Sequence, residues 1–335
     1  MAGQGRNYKS MHPTYIGTLL LRIRYNIPMT KKRSRFRRAK ASALDLTDRD
    51  IEILLALEKH RFLTTDHLMA LTQSVSKQGM NKRLRRLYDA KYLDRPRAQM
   101  HAMAYADKRP MIYALGNAGA ELLSNRFQMR LPDIYWTEKN RRVKEKFVEH
   151  TLGVADFMVA MEIACKEAGN IRMISREDIL ASAPEATRRK RHPFRWLTRV
   201  HWNNEWVEIS IVPDAVFGLH YTDKPEGKNK AYFFVEIDRG TMPILRRDIS
   251  QSSFARKLHS YSDTFERKLH TELFGIRNFR VLTVTTSAER IGTMQAAFKA
   301  EIASKAPVGM FLFAEKASEK VLKWKNADGR GQDLA

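Results

Sequence analysis

From residue 46 the chain repeats its apolar positions with helical spacing. In "LDLTDRDIEILLALEKHRFLTTDHLMALTQSVSKQGMNKRLRRLYDAKYLDRP", Ile51, Leu54, Leu55 and Leu57 form one stripe, Leu68 and Leu71 a second, and Met80, Leu84 and Leu87 a third. Thr47 suits the cap of the first helix because its oxygen accepts an orphan backbone N–H, and Asp50 adds a carboxylate to the first turn; Thr64 or Thr65 opens the second helix. The third is expected from about Ser76 to Ala90, its other face made of Lys77, Gln78, Asn81, Lys82 and Arg85. Tyr92 and Leu93 then start a short strand, "MIYAL" returns it, Arg95 and Arg97 sit on the hairpin, and a helix from Gly119 to Arg126 packs back. The intervening "RAQMHAMAYADKR" is long for a tight hairpin and predicts a flexible tip.

Three short helices, the last of them basic, followed by a hairpin have the layout of a winged helix-turn-helix over residues 46–129. Such a helix presents amide and cationic groups to base edges in the major groove, with the hairpin near the backbone. Protein docking is the alternative use of the same layout.

A proline and a run of charges mark a linker over 130–143, and the pattern beyond it alternates helix and strand. A long helix is expected from about Val143 to Ala168, then a strand "IRMISRE" and a basic, proline-containing insertion "APEATRRKRHPFRW". The strand pair "EWVEISIVPDAVFGL" and "AYFFVEIDR" follows, then a helix from about Pro243 to Leu269, the strand "FRVLTVTT", a helix from about Ala288 to Ser304 and the strand "GMFLFAE". This predicts a layered, mixed α/β domain of α-β-β-β-α-β order over 144–316, with a basic tail over 317–335.

Charge changes the picture more than composition does. Lys and Arg number 60 against 37 Asp and Glu, a formal +23, which favours polyanionic partners, DNA first among them. The stretch "TKKRSRFRRAK" in residues 1–45 reads as a mobile basic arm. No apolar run approaches the roughly 20 residues of a spanning helix, and "IGTLLL" breaks at once into "RIRYN", so neither a membrane span nor a secretory leader is expected and the cytoplasm is the expected compartment. The one cysteine, Cys165, excludes an intramolecular disulfide and a thiolate zinc site and reads as a buried structural thiol. There is no GxxxxGK[ST] loop and no histidine cluster with a tyrosine pair, which argues against a nucleotide-driven motor and against a relaxase.

Within this basic chain, acids stand at the ends of two strand-like runs. Period two puts Phe234, Glu236 and Asp238 on one face of "YFFVEID", opposite Phe233, Val235 and Ile237. Asp214 follows Pro213, which removes a ladder donor and suits a strand end. If the strands are neighbours, the three carboxylates converge, an arrangement that calls for a cation: Mg²⁺ or Mn²⁺ in one reading, Arg239, Arg246 or Arg247 in the other.

"PDAVFGL" followed by "FFVEIDRGT", supported by "FVEHTLGVADF" and "SFARKLHSY", resembles the replication-relaxation family of bacterial plasmid and mobile-element proteins over roughly residues 45–315. The resemblance implies a winged helix joined to a domain like the PD-(D/E)xK restriction endonucleases, and a part in plasmid replication or conjugal mobilisation. Nucleases of that fold carry a lysine two residues after the second acid, where this chain has Asp238; the resemblance implies Lys257 of the next helix, or Arg256, as the substitute cation. It also implies Glu149 as an added metal ligand beside Asp214 and Glu236, with His150 next to it a hydrogen-bonded histidine.

Two main readings follow: a DNA-binding accessory protein working with a relaxase, a replication initiator or another mobile-element protein, and a metal-dependent DNA endonuclease using Asp214, Glu236, Asp238 and Lys257. Binding is favoured because the shifted lysine weakens the case for hydrolysis. A transcriptional regulator, working as a homodimer, is a further alternative.

Overall fold

The structure, a computed structural model, describes residues 34–40, 43–100, 110–127, 135–316 and 322–334. Most of the basic arm, the tip of the hairpin and parts of the linker and tail lie outside the described residues.

The first helix, α1 (Asp48–His60), starts where Thr47 predicts, with a capping box: Thr47 accepts from the Asp50 N–H and the Asp50 carboxylate accepts from the Thr47 N–H. The fully buried Asp50 also binds the Arg83 guanidinium, which ties the start of α1 to the third helix. A two-residue strand β1 (Leu63–Thr64) leads into α2 (Thr65–Leu71), capped by Thr64, and Ser76 caps α3 (Lys77–Asp89). The strands β2 (Leu93–Asp94) and β3 (Ile112–Leu115) complete a sheet of order β1-β3-β2, and α4 (Asn117–Phe127) closes over it. Ile53, Leu54, Leu57, Leu68, Leu84, Leu87 and Leu115 form this core, whereas Leu55 and Leu71 are only half-buried. Gly116 and Gly119 are required by close approach: a Cβ on Gly119 would lie 2.4 Å from the Tyr92 carbonyl oxygen, and one on Gly116 2.3 Å from that of Lys91.

After α5 (Trp136–Arg142), the long helix α6 (Glu145–Ala168) joins two cores. Its Ala155 and Val159 pack with α1–α4, while Phe157, Met158, Met161 and Cys165 pack on the large sheet. Polar contacts reinforce the first junction: Lys59 and His60 both reach Glu162, and His67 reaches Asp156. Cys165 is buried, which pushes its thiol up to about 11 and suits a structural role.

The chain then forms β4 (Ile171–Ile174), α7 (Arg176–Ser182), α8 (Glu185–Arg188), the hairpin β5 (Trp196–Trp202) and β6 (Glu205–Ile211), then β7 (Ala215–Tyr221) and β8 (Lys230–Ile237). There follow α9 (Phe254–Glu266), α10 (Leu269–Phe274), β9 (Arg280–Thr285), α11 (Ala288–Glu301), β10 (Phe311–Glu315), β11 (Lys323–Asn326) and β12 (Gly331–Asp333). Seven of these strands make one mixed sheet, β12-β11-β10-β9-β8-β7-β4, with β8, β9 and β10 parallel. The sheet lies between α6 on one face and α9 and α11 on the other, because alternate residues of β8 feed opposite cores: Phe233, Val235 and Ile237 face α6, and Phe234 faces α9.

Five expectations of the fold change. The linker expected over 130–143 holds the helix α5. The stretch "EWVEISIVPDAVFGL" is two strands in different sheets, broken at Val212–Asp214, and β6 pairs with β5 in a separate hairpin. The helix expected from Pro243 begins only at Phe254, after loop residues whose Asp248 and Ser253 side chains take backbone N–H groups, and it stops before the left-handed Lys268. The basic tail contains β11 and β12, which extend the sheet. Arg38 of the basic arm is docked, binding Asp94 at 3.1 Å and lying 4.0 Å over the Tyr88 ring.

Candidate functional site

The acids meet where β7 begins and β8 ends. Ala215 pairs with Val235, so Asp214 comes beside Glu236; its own N–H donates to the Val235 carbonyl and its Oδ2 accepts from the Ile237 N–H at 2.8 Å. Asp214 Oδ1 lies 3.0 Å from His150 Nε2 at the start of α6. Glu236, 2% exposed, accepts from the Lys257 ammonium at Oε2 and from the Tyr261 hydroxyl at Oε1, the latter at 2.6 Å. Phe254, Lys257, Leu258 and Tyr261 fall at i, i+3, i+4 and i+7 on α9, so the stripe that buries the helix also aims the lysine and the tyrosine at the sheet.

Electrostatics separates the two carboxylates. Burial pushes Glu236 up to about 7, aided by the negative Asp214 and resisted by Lys257 and Tyr261. Burial also acts to raise Asp214, but the His150 contact and Lys257 outweigh it and hold it below the usual carboxylate range. His150 is raised, chiefly by its bond to Asp214. Burial disfavours the Lys257 ammonium, yet Glu236 and Asp214 more than offset that and its pKa is raised.

Asp238 goes elsewhere. Although period two places it on the Glu236 face, it accepts from the Arg290 guanidinium through both oxygens, from the Thr285 hydroxyl at 2.6 Å and from the Gly240 N–H at 3.2 Å. Burial would raise it, but Arg290 and Thr285 hold it low. Glu149 pairs with Arg239, and Arg256 spends its guanidinium on the Ser250 and Ser210 carbonyls. The structure therefore brings Asp214, Glu236, Lys257 and His150 together and sends Asp238 and Glu149 to arginines. Tyr261 and Arg290 were not singled out from sequence. Tyr261 was legible in principle as the i+4 neighbour of Lys257, whereas Arg290 lies 52 residues from Asp238 and left no local signal.

These donors do not fit a resident Mg²⁺ or Mn²⁺ in this arrangement. Each oxygen of Asp214 and of Glu236 already engages a group of this chain, and among the described residues no group of three or more His, Cys, Asp or Glu is placed to hold a metal.

A second polar surface lies on α3. Lys77, Gln78, Asn81, Lys82 and Arg85 are all exposed on one helix whose opposite face buries Met80, Leu84 and Leu87. Lys77 bridges to Asp66 at 2.6 Å, and Thr65 donates to Asn81 Oδ1 at 3.3 Å, which orients the amide. Arg97 is exposed, but Arg95 is buried, its guanidinium 4.2 Å from the Tyr88 ring and 5.2 Å from that of Tyr113. The expectation of Arg95 on an open hairpin thus meets a stacked, interior guanidinium.

The region holding both surfaces is matched by the family model for replication-relaxation, over residues 54–276. The chain belongs to the replication-relaxation family. No curated protein and no solved structure matches it. The matched stretch of this replication-relaxation protein includes α3, Asp214, Glu236 and Lys257 and ends before Arg290. Membership suggests a part in replication or mobile-element processes. Among the described residues no helix is long and apolar enough to cross a membrane.

Proposed function

We propose that this replication-relaxation protein is a DNA-binding accessory factor of plasmid or mobile-element replication or mobilisation, gripping duplex DNA through α3. The observation that carries this reading is the exposed row of Lys77, Gln78, Asn81, Lys82 and Arg85 on a helix anchored from behind by a packed core. The order α1-α2-α3-β2-β3 supports a winged helix-turn-helix, with α3 as the helix that enters the major groove and Arg97 beside the backbone. Asn81 is suited to an adenine edge and Arg85 to guanine. The α/β domain, on this reading a restriction-endonuclease-like scaffold, serves to dock a partner such as a relaxase or replication initiator. Replacing Lys77, Lys82 and Arg85 together by alanine is expected to lower the slope of log affinity against log salt by about 2.7, at about 0.9 per lost phosphate contact. These side chains are exposed, so folding is expected to persist; an unchanged slope in fluorescence anisotropy titrations with duplex DNA overturns the reading.

A second reading, a metal-dependent DNA endonuclease, is favoured by the contact of Lys257 with Glu236, which supplies from α9 the cation that the position of Asp238 lacks. It needs Glu236 and Asp214 to give up present partners before a metal can bind. Nicking of supercoiled plasmid in Mg²⁺ or Mn²⁺, lost in Asp214→Asn and in Glu236→Gln, would establish it. On the accessory-factor reading the expected result is an intact plasmid with either metal.

A further inference from the structure

The β5–β6 hairpin forms a two-stranded sheet of its own, packs its inner face against the core of the large sheet through Trp196 and Phe234, and presents the other face outward. Its inward residues, Trp196, Thr198, Val200, Ile209 and Ile211, are buried, and the Arg199 N–H is tied to Asp263 of α9. The outward residues alternate with them. Leu197 is 58% exposed and Trp206 71%, with His201 edge-on to the Trp206 ring at 5.2 Å. An indole this open on a structured hairpin is unusual, because burying it elsewhere would gain far more than leaving it in water.

The chain feeding this face is basic. Arg188, Arg189, Lys190, Arg191 and Arg195 are all exposed, with Arg189 paired to Glu185 and, on the hairpin itself, Arg199 paired to Glu208. Beside them opens a cavity of about 590 Å³ with cations and an apolar floor, lined by Lys190, Arg195, Leu197, Ser210, Leu269 and Leu273. From the Leu197–Ser210 pair to the His201–Trp206 pair is four residues of strand, about 13 Å. A row of cations, an apolar recess and an exposed aromatic ring along one edge complement a strand whose phosphates are charged and whose bases are unpaired. Duplex DNA hides those base faces; a single strand offers them.

We propose that the outward face of the β5–β6 hairpin, together with the basic run 188–195, is a second nucleic-acid site that takes a single strand, Trp206 stacking on an unpaired base. It is separate from α3, so it stands or falls independently of duplex binding there.

The test is binding of the full chain to a labelled oligothymidylate, beside a duplex of unrelated sequence. Trp206→Ala is expected to weaken the single strand about 5- to 150-fold, the range for one lost base stack, and to leave the duplex unchanged. Trp206→Phe is expected to keep most of the affinity. Alanine at Lys190, Arg191 and Arg195 is expected to lower the single-strand salt slope by about 2. Three results would overturn the proposal: undiminished oligothymidylate affinity in Trp206→Ala, loss of that affinity in the α3 variant alone, or a Trp206→Ala change from dimer to monomer in sedimentation, which would make the hairpin a contact between two copies of this chain.

Discussion

Lys257→Met is expected to lose about 3–5 kcal/mol of unfolding free energy at pH 8, the usual cost of removing one partner from a buried ion pair. The loss arises because Glu236 keeps its burial and its Tyr261 bond but no longer has a cation beside it. The sign with pH is specific. Glu236 is raised, so between its unfolded value of 4.5 and about 7 the folded chain holds a proton that the unfolded chain has released, and this group's contribution to stability falls as pH rises through that window. At pH 5 the folded Glu236 is already neutral, so the lysine is missed less and the penalty is expected to shrink. In a Glu236→Gln background the same substitution is expected to cost little, apart from what Asp214 feels. Urea unfolding at the two pH values, for both single variants and the double, measures the coupling directly. Equal penalties for Lys257→Met at pH 5 and pH 8 would show that the lysine is not paired with Glu236.

Arg290→Ala is expected to be of similar size, about 3–5 kcal/mol at neutral pH, with Arg290→Lys intermediate because an ammonium keeps the charge but not the two-pronged fit. Here the dependence on pH runs the other way. Asp238 is held low, so its contribution is present above the unfolded value of 3.8 and is lost as pH falls through the folded one. Two carboxylates two residues apart, at the end of β8, therefore pull stability in opposite directions: Glu236→Gln flattens the decline between pH 4.5 and about 7, and Asp238→Asn costs stability above about pH 4 and removes this group's share of the loss on further acidification. Chemical denaturation of Glu236→Gln and Asp238→Asn across that range separates the two acids. If Arg290→Ala unfolds at the wild-type midpoint, the pair contributes no net stability and Asp238 is free for another role.

What was legible in the sequence was mostly local. The caps at Thr47 and Thr64 and the stripes of α1 and α3 follow from local spacing, because a helix end must satisfy its orphan N–H groups and a helix must bury one face. The same rules are weaker in the 243–253 stretch, where the helix expected from Pro243 gives way to a loop in which the Asp248 carboxylate takes the Ser250 N–H and Arg246 donates to the Ser252 carbonyl. Period two puts Glu236 and Asp238 on one face of the strand run, but the shared site it predicts is not made: Glu236 pairs with Lys257 and Asp238 with Arg290. Asp238 lies just past the last strand residue, where the chain turns and a guanidinium from α11 is closer than the other acids' partners.

The sequence by itself determined the family, the helix and strand periods, the exposed cationic row on α3 and the candidacy of Asp214, Glu236 and Lys257. Each of these rests on residues close in the chain, where dihedral and hydrophobic rules act directly. Only the tertiary structure decided who partners whom: Lys257 and Tyr261 on Glu236, His150 on Asp214, Arg290 on Asp238, Arg95 between two tyrosines and Trp206 left in water. Partner choice depends on which side chains the packed layers bring within a few ångströms of a buried charge, and desolvation makes that choice decisive while spacing along the chain carries no trace of it.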